Sequence, residues 1–398
     1  MARVAVVKNE GQATGYGDIR EMVKRSIDLL GGVREFINPG ERVFVKPNTL
    51  FPRAPEFAVT THPTVVQAVV DIALKEGKAG KVIVSDIPRL KLTARDVLKE
   101  TGIEAAAIKA GAEVTYIDED PQVEVEIPGG VVMSRTLLPK TVLSVDKIIY
   151  IPKLKTHYIA KITAAVKSAH GLQVDEEREK FHREDLHHKL VDLLRVVKPH
   201  LCVVDALTVM EGQGPAFGNP VRFDTIVSGS DPVAVDSVCA SMMGFDPFEI
   251  PTIRIAHNDG LGQGDLKHIN IVGNSLEEVT KRIRRADHNI EGVHPKIETF
   301  VGGTCVGCLT SSRGFIDAIT ARGLIDKLDK LSVVTGLDIN FGHEPTGEMV
   351  FVLGDCAEKY RDKGIFIPGC IPFDSWTVAI RKVEEFVEKK EERGKAVA

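Results

Sequence analysis

At 398 residues the chain is long enough to bury two or three separate cores. Its 51 Lys and Arg nearly offset 56 Asp and Glu, a net charge of −5, which excludes a globally basic polyanion binder and an acidic tail. Aromatic residues make up only 6%, too few stacking platforms for nucleic acid, and no apolar run is long enough to span a bilayer. The opening "MARVAVVKNEGQ" carries charge where a signal peptide needs an apolar stretch, so the expected setting is the cytoplasm, with neither membrane nor nucleic acid as partner.

In chain order, β-branched runs "RVAVV", "RVFVK", "KVIVSD", "AEVTYID", "DKIIYIPK", "LCVVD" and "DTIVSG" alternate with amphipathic stretches such as "HPTVVQAVVDIALKEG" and "DLHHKLVDLLRVVKP". That alternation predicts an α/β fold: a large, mostly parallel sheet with helices on both faces, over residues 1–275. The charged stretch Glu277–Lys296 interrupts it, and 276–296 reads as a linker or connecting helix. Alternation resumes with "IETFVGG", "LSVVTG", "MVFVLGD" and "GIFIPG", predicting a smaller α/β domain over 297–398 that ends in a solvated, fraying helix, "VEEFVEKKEERGKAVA".

The carboxyl ends of parallel strands share one edge, and such folds place their sites there. In the large domain this logic gathers Lys46 and Asn48 of "FVKPNTL", Asp86 of "VIVSD", Lys153, Lys155 and His157 of "IPKLKTH", Asp205 of "LCVVD", Glu211 of "MEGQGPAFG" and Asp231 after "TIVSGS". Lysines with a histidine suit an anionic small molecule, His157 moving a proton near neutral pH. Lys167 and His170 of "AAVKSAHG" lie on a segment able to fold back over this edge. Lys155, His157 and Lys167 are the catalytic candidates; Lys46, Asn48, Lys153, Asp205 and Glu211 are the substrate-binding ones. His182, His187 and His188 read as an exposed helix face, since adjacent residues on a helix diverge by about a hundred degrees. "MEGQGPAFGNP" lacks the order of a phosphate-binding P-loop and reads as a bend or lid.

In the small domain Cys305, Cys308, Cys356 and Cys370 all follow predicted strand ends and should converge. Thiolates in this number suit a [4Fe–4S] cluster or a tetrahedral zinc. Single cysteines on separate loops favour the cluster, and glycines beside them let backbone approach inorganic sulfide; a plain redox or inert thiol set stays open. Cys202 and Cys239 sit in apolar runs and read as buried small hydrophobes.

Together "VKPN", "TTHPTVVQAVVDIALKEG", "KLKTH", "AVKSAHG", "VVDALTVMEGQGP" and "SDPVAVDSVCASMMGFDP" resemble the prokaryotic family known as domain of unknown function 362, across residues 1–275. The resemblance implies an iron–sulfur association, for many members carry a ferredoxin-type C-x-x-C-x-x-C-x-x-x-C-P run. This chain lacks that run, so a cluster here must use the four C-terminal cysteines, and the analogy is partial. The expectation is an iron–sulfur oxidoreductase or electron-transfer protein with an anionic ligand and a redox protein partner. The alternatives are a non-redox isomerase or lyase on a carboxylic or hydroxy acid, with a structural metal at the cysteines, and a scaffold for metal delivery.

Overall fold

Along the strand Arg42–Pro47, Val43 and Val45 enter the core on one face of a sheet while Phe44 enters the core on the other, as the period of two requires. A strand with both faces covered must read as a continuous apolar run, and most strands of this chain do. The computed structural model describes residues 1–11, 15–88, 92–180, 185–370 and 372–397. His182 lies outside them. They divide into two units, Met1–Arg284 and Arg285–Ala398.

The first unit is built on a ten-stranded sheet. Its order is Ile269–Gly273, Ala2–Lys8, Asn219–Gly229, Leu201–Glu211, Lys147–Ile151, Arg42–Pro47, Lys81–Val84 and Glu113–Val114, with Lys153–His157 and Lys161–Thr163 branching from Leu201–Glu211. All neighbours on the main path are parallel except Asn219–Gly229, which runs against both its partners. Helices Tyr16–Asp28, Pro63–Lys75 and Ile103–Ala110 cover one face, and Leu186–Val196, Pro232–Met242 and Pro251–Asn258 the other. Pro63–Lys75 starts where Pro63 fixes the first helical φ and His62 Nδ1 accepts from Thr64 N at 3.2 Å.

The stretch expected as a linker holds one helical turn, Leu276–Val279, followed by residues 280–290 without regular structure. Val279 and Ile283 join the first unit's core, and the boundary between units falls after Arg284.

The second unit is a four-stranded parallel sheet, Ile297–Gly302, Leu331–Gly336, Met349–Leu353 and Ile365–Ile367, in chain order. Its C-terminal helix, Phe373–Val397, buries Ala379, Ile380, Val383 and Val387 in the core of this unit, so the stretch expected as a solvated helix is anchored at Val383 and Val387, while Glu391, Glu392 and Arg393 are exposed. The buried residues, at a spacing of three and four, form one apolar stripe, and the abundant Lys and Glu between them occupy the opposite face. Among the described residues, no helix is long and apolar enough to cross a membrane.

Candidate functional site

Lys153, Leu154, Lys155, Thr156 and His157 are all buried, and alternation puts Lys153, Lys155 and His157 on one face of their short strand. Lys46 continues the Phe44 face of the neighbouring strand and lies 5.9 Å from the centre of the Tyr150 ring. Each buried ammonium needs a partner, and two of them have a carboxylate. Lys46 Nζ stands 2.5 Å from Asp86 Oδ1, whose other oxygen accepts from Thr49 N at 2.7 Å and Thr49 Oγ1 at 2.8 Å. Lys153 Nζ donates to Asp205 Oδ2 at 3.0 Å. Asp205 also accepts from His62 N at 2.7 Å and Leu207 N at 3.1 Å, so it fastens a helix start and a strand irregularity to the lysine.

Lys155 has no carboxylate partner among the described residues; its Nζ donates to the carbonyl of Val59 at 2.6 Å. Burial pushes its ammonium well below the usual lysine range, and Lys167 and Lys153 push it further. Lys46 is lowered by burial too, with Asp86 opposing. Lys167 sits on the turn Ala165–Ser168, and the following residues, through Gly171, fold back over the edge as expected: Gly171 O accepts from Ile87 N at 2.9 Å. A Cβ at Gly171 would lie 2.7 Å from Lys46 Nζ, so only glycine lets the backbone close over the Lys46–Asp86 pair. Lys167 remains partly exposed, yet burial, with Arg178 and Lys46 nearby, brings it down to about 7.

Arg178 is the group missed in the sequence. It is 7% exposed and donates to the carbonyls of His170, Pro88 and Ile87, and among the described residues no carboxylate is bonded to it. Burial lowers it, and Asp86 opposes that effect. It lies in "DEEREK", which reads as a solvated charge run; no local signal marks it. Its helix, Asp175–Glu179, is held by Lys189, whose buried Nζ donates to the carbonyls of Glu177, Arg178 and Lys180 at 2.5, 3.0 and 2.6 Å. Lys46, Lys153, Lys155, Lys167 and Arg178 thus outnumber the carboxylates Asp86 and Asp205 paired with them among the described residues.

Other candidates take different places. His157 Nδ1 accepts from Ile159 N and Ala160 N, both at 3.1 Å, so this atom is committed to the turn and any proton exchange falls to Nε2. Asn48 bonds through its backbone to Thr61, and its buried side-chain oxygen has no hydrogen-bond partner among the described residues. Glu211 turns to Arg284, whose N it accepts at 2.8 Å. Asp205 was expected at a strand end, but its strand runs on to Glu211 through a register shift between Ala206 and Thr208. Asp231 was expected on the same edge; because Asn219–Gly229 is antiparallel, it lies at the opposite edge and caps Pro232–Met242, accepting from Val233 N and Ala234 N. His188 pairs with the helix cap Asp185 at 2.7 Å, while burial lowers His187, which is therefore not a solvated face residue. The loop expected as a bend or lid is a fixed bend: Thr156 Oγ1 donates to Met210 O and Gly212 O, and Tyr158 N to Gly214 O.

In the second unit Cys305 caps helix Val306–Ala321, Cys308 lies buried in its first turn, and Cys356 and Cys370 follow the strands Met349–Leu353 and Ile365–Ile367. The loops are tied together at this edge by Gly354 N to Ile367 O at 2.9 Å and Gly369 N to Asp355 Oδ1 at 2.6 Å. A Cβ at Gly354, where φ is +90°, would stand 3.0 Å from Cys308 Sγ. The hydrogen bond with Cys305, burial, and the charges of Cys305, Cys356 and Cys370 all push the Cys308 thiol up. Among the described residues, however, no three His, Cys, Asp or Glu side chains form a ready metal-holding group. Cys202 and Cys239 are fully buried in the first unit, their thiols raised by burial.

Comparison with known proteins adds the following. The thylakoid-associated protein sll1697 of Synechocystis sp. is 27% identical over 265 residues, covering 63% of this chain and 78% of the relative. The lactate racemase apoprotein of Thermoanaerobacterium thermosaccharolyticum aligns with a TM-score of 0.39 and 10% identity, over 61% of this chain; the chain spans 57% of that structure's length. Residues 43–241, half the chain and the segment bearing every buried cation of the site, match one family, and the chain belongs to it: Domain of unknown function (DUF362).

Proposed function

We propose that the chain is an iron–sulfur oxidoreductase whose first unit binds an anionic small molecule beside Lys46, Lys155 and Lys167. The observation that carries the anion site is the group of buried and part-buried cations, of which, among the described residues, only Lys46 and Lys153 have carboxylate partners. Lys155 and Lys167 meet the guest's negative charge, and its arrival raises their proton affinity. Lys167, brought to about 7, takes or gives a proton at Nζ, with His157 Nε2 as the other proton-bearing atom on the lysine face.

A four-thiol set fits a cluster by donor chemistry, and the close approach of Gly354 to Cys308 Sγ fits the need for bare backbone near sulfide. Cys305, Cys308, Cys356 and Cys370 would hold it. When bound, a [4Fe–4S] cluster supplies one-electron transfer. The reading includes a redox protein partner and a cytoplasmic setting, where thiols stay reduced.

A second reading rests on Lys167 itself, because a lysine near neutrality moves protons without any redox partner. The chain is then an isomerase or lyase on a carboxylic or hydroxy acid, with zinc at the cysteines. Protein purified without oxygen separates the two: about four iron and four sulfide per chain with visible absorption supports the cluster. Colourless protein with stoichiometric zinc supports the second reading. Calorimetric titration with sulfate and phosphate tests the anion site, and absence of any binding to the wild type ends both readings.

A further inference from the structure

Buried lysines in the first unit divide by what their amines already do. Lys46 is spent on Asp86, Lys153 on Asp205, Lys155 on the Val59 carbonyl, and Lys189 on three carbonyls of the neighbouring turn. Lys167 is different. Among the described residues its amine has neither a hydrogen bond nor an ion pair, and it alone of these lysines keeps some exposure. It also sits within the field of Arg178, Lys46 and Lys155.

From this juxtaposition we propose that Lys167 is a covalent nucleophile that forms an imine with a small oxo acid, whose carboxylate the surrounding cations hold. This deepens the anion-site reading and rests on it. A free, reachable amine beside cations that bind the carboxylate is what such a step needs, and a desolvated lysine next to other cationic groups is the usual way an amine is activated. At about 7, Lys167 is roughly half neutral at physiological pH, whereas a surface lysine near 10.4 is almost wholly protonated.

The step balances without a redox co-reactant. The amine nitrogen adds to the carbonyl carbon while the π pair moves to oxygen. Both amine hydrogens end on the departing oxygen as water, leaving C=N, and one proton taken from solvent gives the iminium. That cation withdraws electrons from the adjoining carbon, so the fitting reactions are proton abstraction, carboxylate loss or carbon–carbon cleavage next to the former carbonyl.

Glyoxylate, the smallest oxo acid, is the probe. With sodium cyanoborohydride at pH 7 and a low dose, peptide mass spectrometry should find the carboxymethyl adduct chiefly on Lys167. Its rate should rise through about pH 7, ahead of every exposed lysine. Phosphate in excess should suppress it. Lys167→Gln has no amine and adds no charge to the site, and should lose the adduct with an unchanged far-ultraviolet circular dichroism spectrum. An adduct scattered over exposed lysines with Lys167 unmodified, in wild-type protein that still binds phosphate by calorimetry, overturns the imine and leaves the anion site standing. Wild type that binds no phosphate overturns both.

Discussion

Removing one half of the Lys46–Asp86 pair strands the other charge where water cannot reach it. Lys46→Met should cost about 3–5 kcal/mol in urea unfolding, and Asp86→Leu added to it should restore part of that loss, since a pair replaced by apolar groups leaves no orphan. Asp236 and Lys167 each contribute to the pH dependence of stability. Asp236, buried and accepting from Ala165 N and Val166 N, is raised by burial to about 7 against an unfolded value near 3.9. Between those values the folded state holds the extra proton, so stability falls as pH rises from about 4 to 7. Lys167 works the other way: from about 7 to 10.4 the unfolded state holds the extra proton, and stability rises with pH. Asp236→Asn should flatten the limb below pH 7 in thermal unfolding and leave the limb above it.

The elements carry these residues in ways that differ in how plainly the chain announces them. K-x-K-x-H is legible because a period of two needs only a strand to put all three side chains together. Asp86 is legible as a strand end, but its pairing with Lys46 comes from two strands lying side by side in the sheet, which no local pattern states. Arg178 and Lys189 are illegible, because a charged run gives no sign that tertiary packing will bury it. Asp231 misleads because one reversed strand moves its end to the other side of the sheet. The turn bearing Lys167 closes by way of Gly171, and Gly171→Ala should push the Lys46–Asp86 pair apart. Phosphate binding should weaken about tenfold or more, with helix content by circular dichroism unchanged.

Each of the two units has a hydrophobic core of its own, and the family match ends at residue 241, inside the first. A fragment of residues 1–284 should therefore fold and keep phosphate binding, with no iron or zinc retained; loss of its cooperative melt would show that the small unit is needed for stability. The resumption of strand–helix alternation made the small sheet visible in advance, whereas the docking of its last helix was hidden by composition. The burial of Cys202 and Cys239 has a practical corollary at the bench. An aqueous disulfide reagent applied to folded protein reaches Cys305, Cys356 and Cys370 while the two core sulfurs stay silent until denaturant is added. The colour released before unfolding therefore gauges how many edge sulfurs are already engaged, and its decrease on metal loading measures occupancy without any knowledge of the reaction.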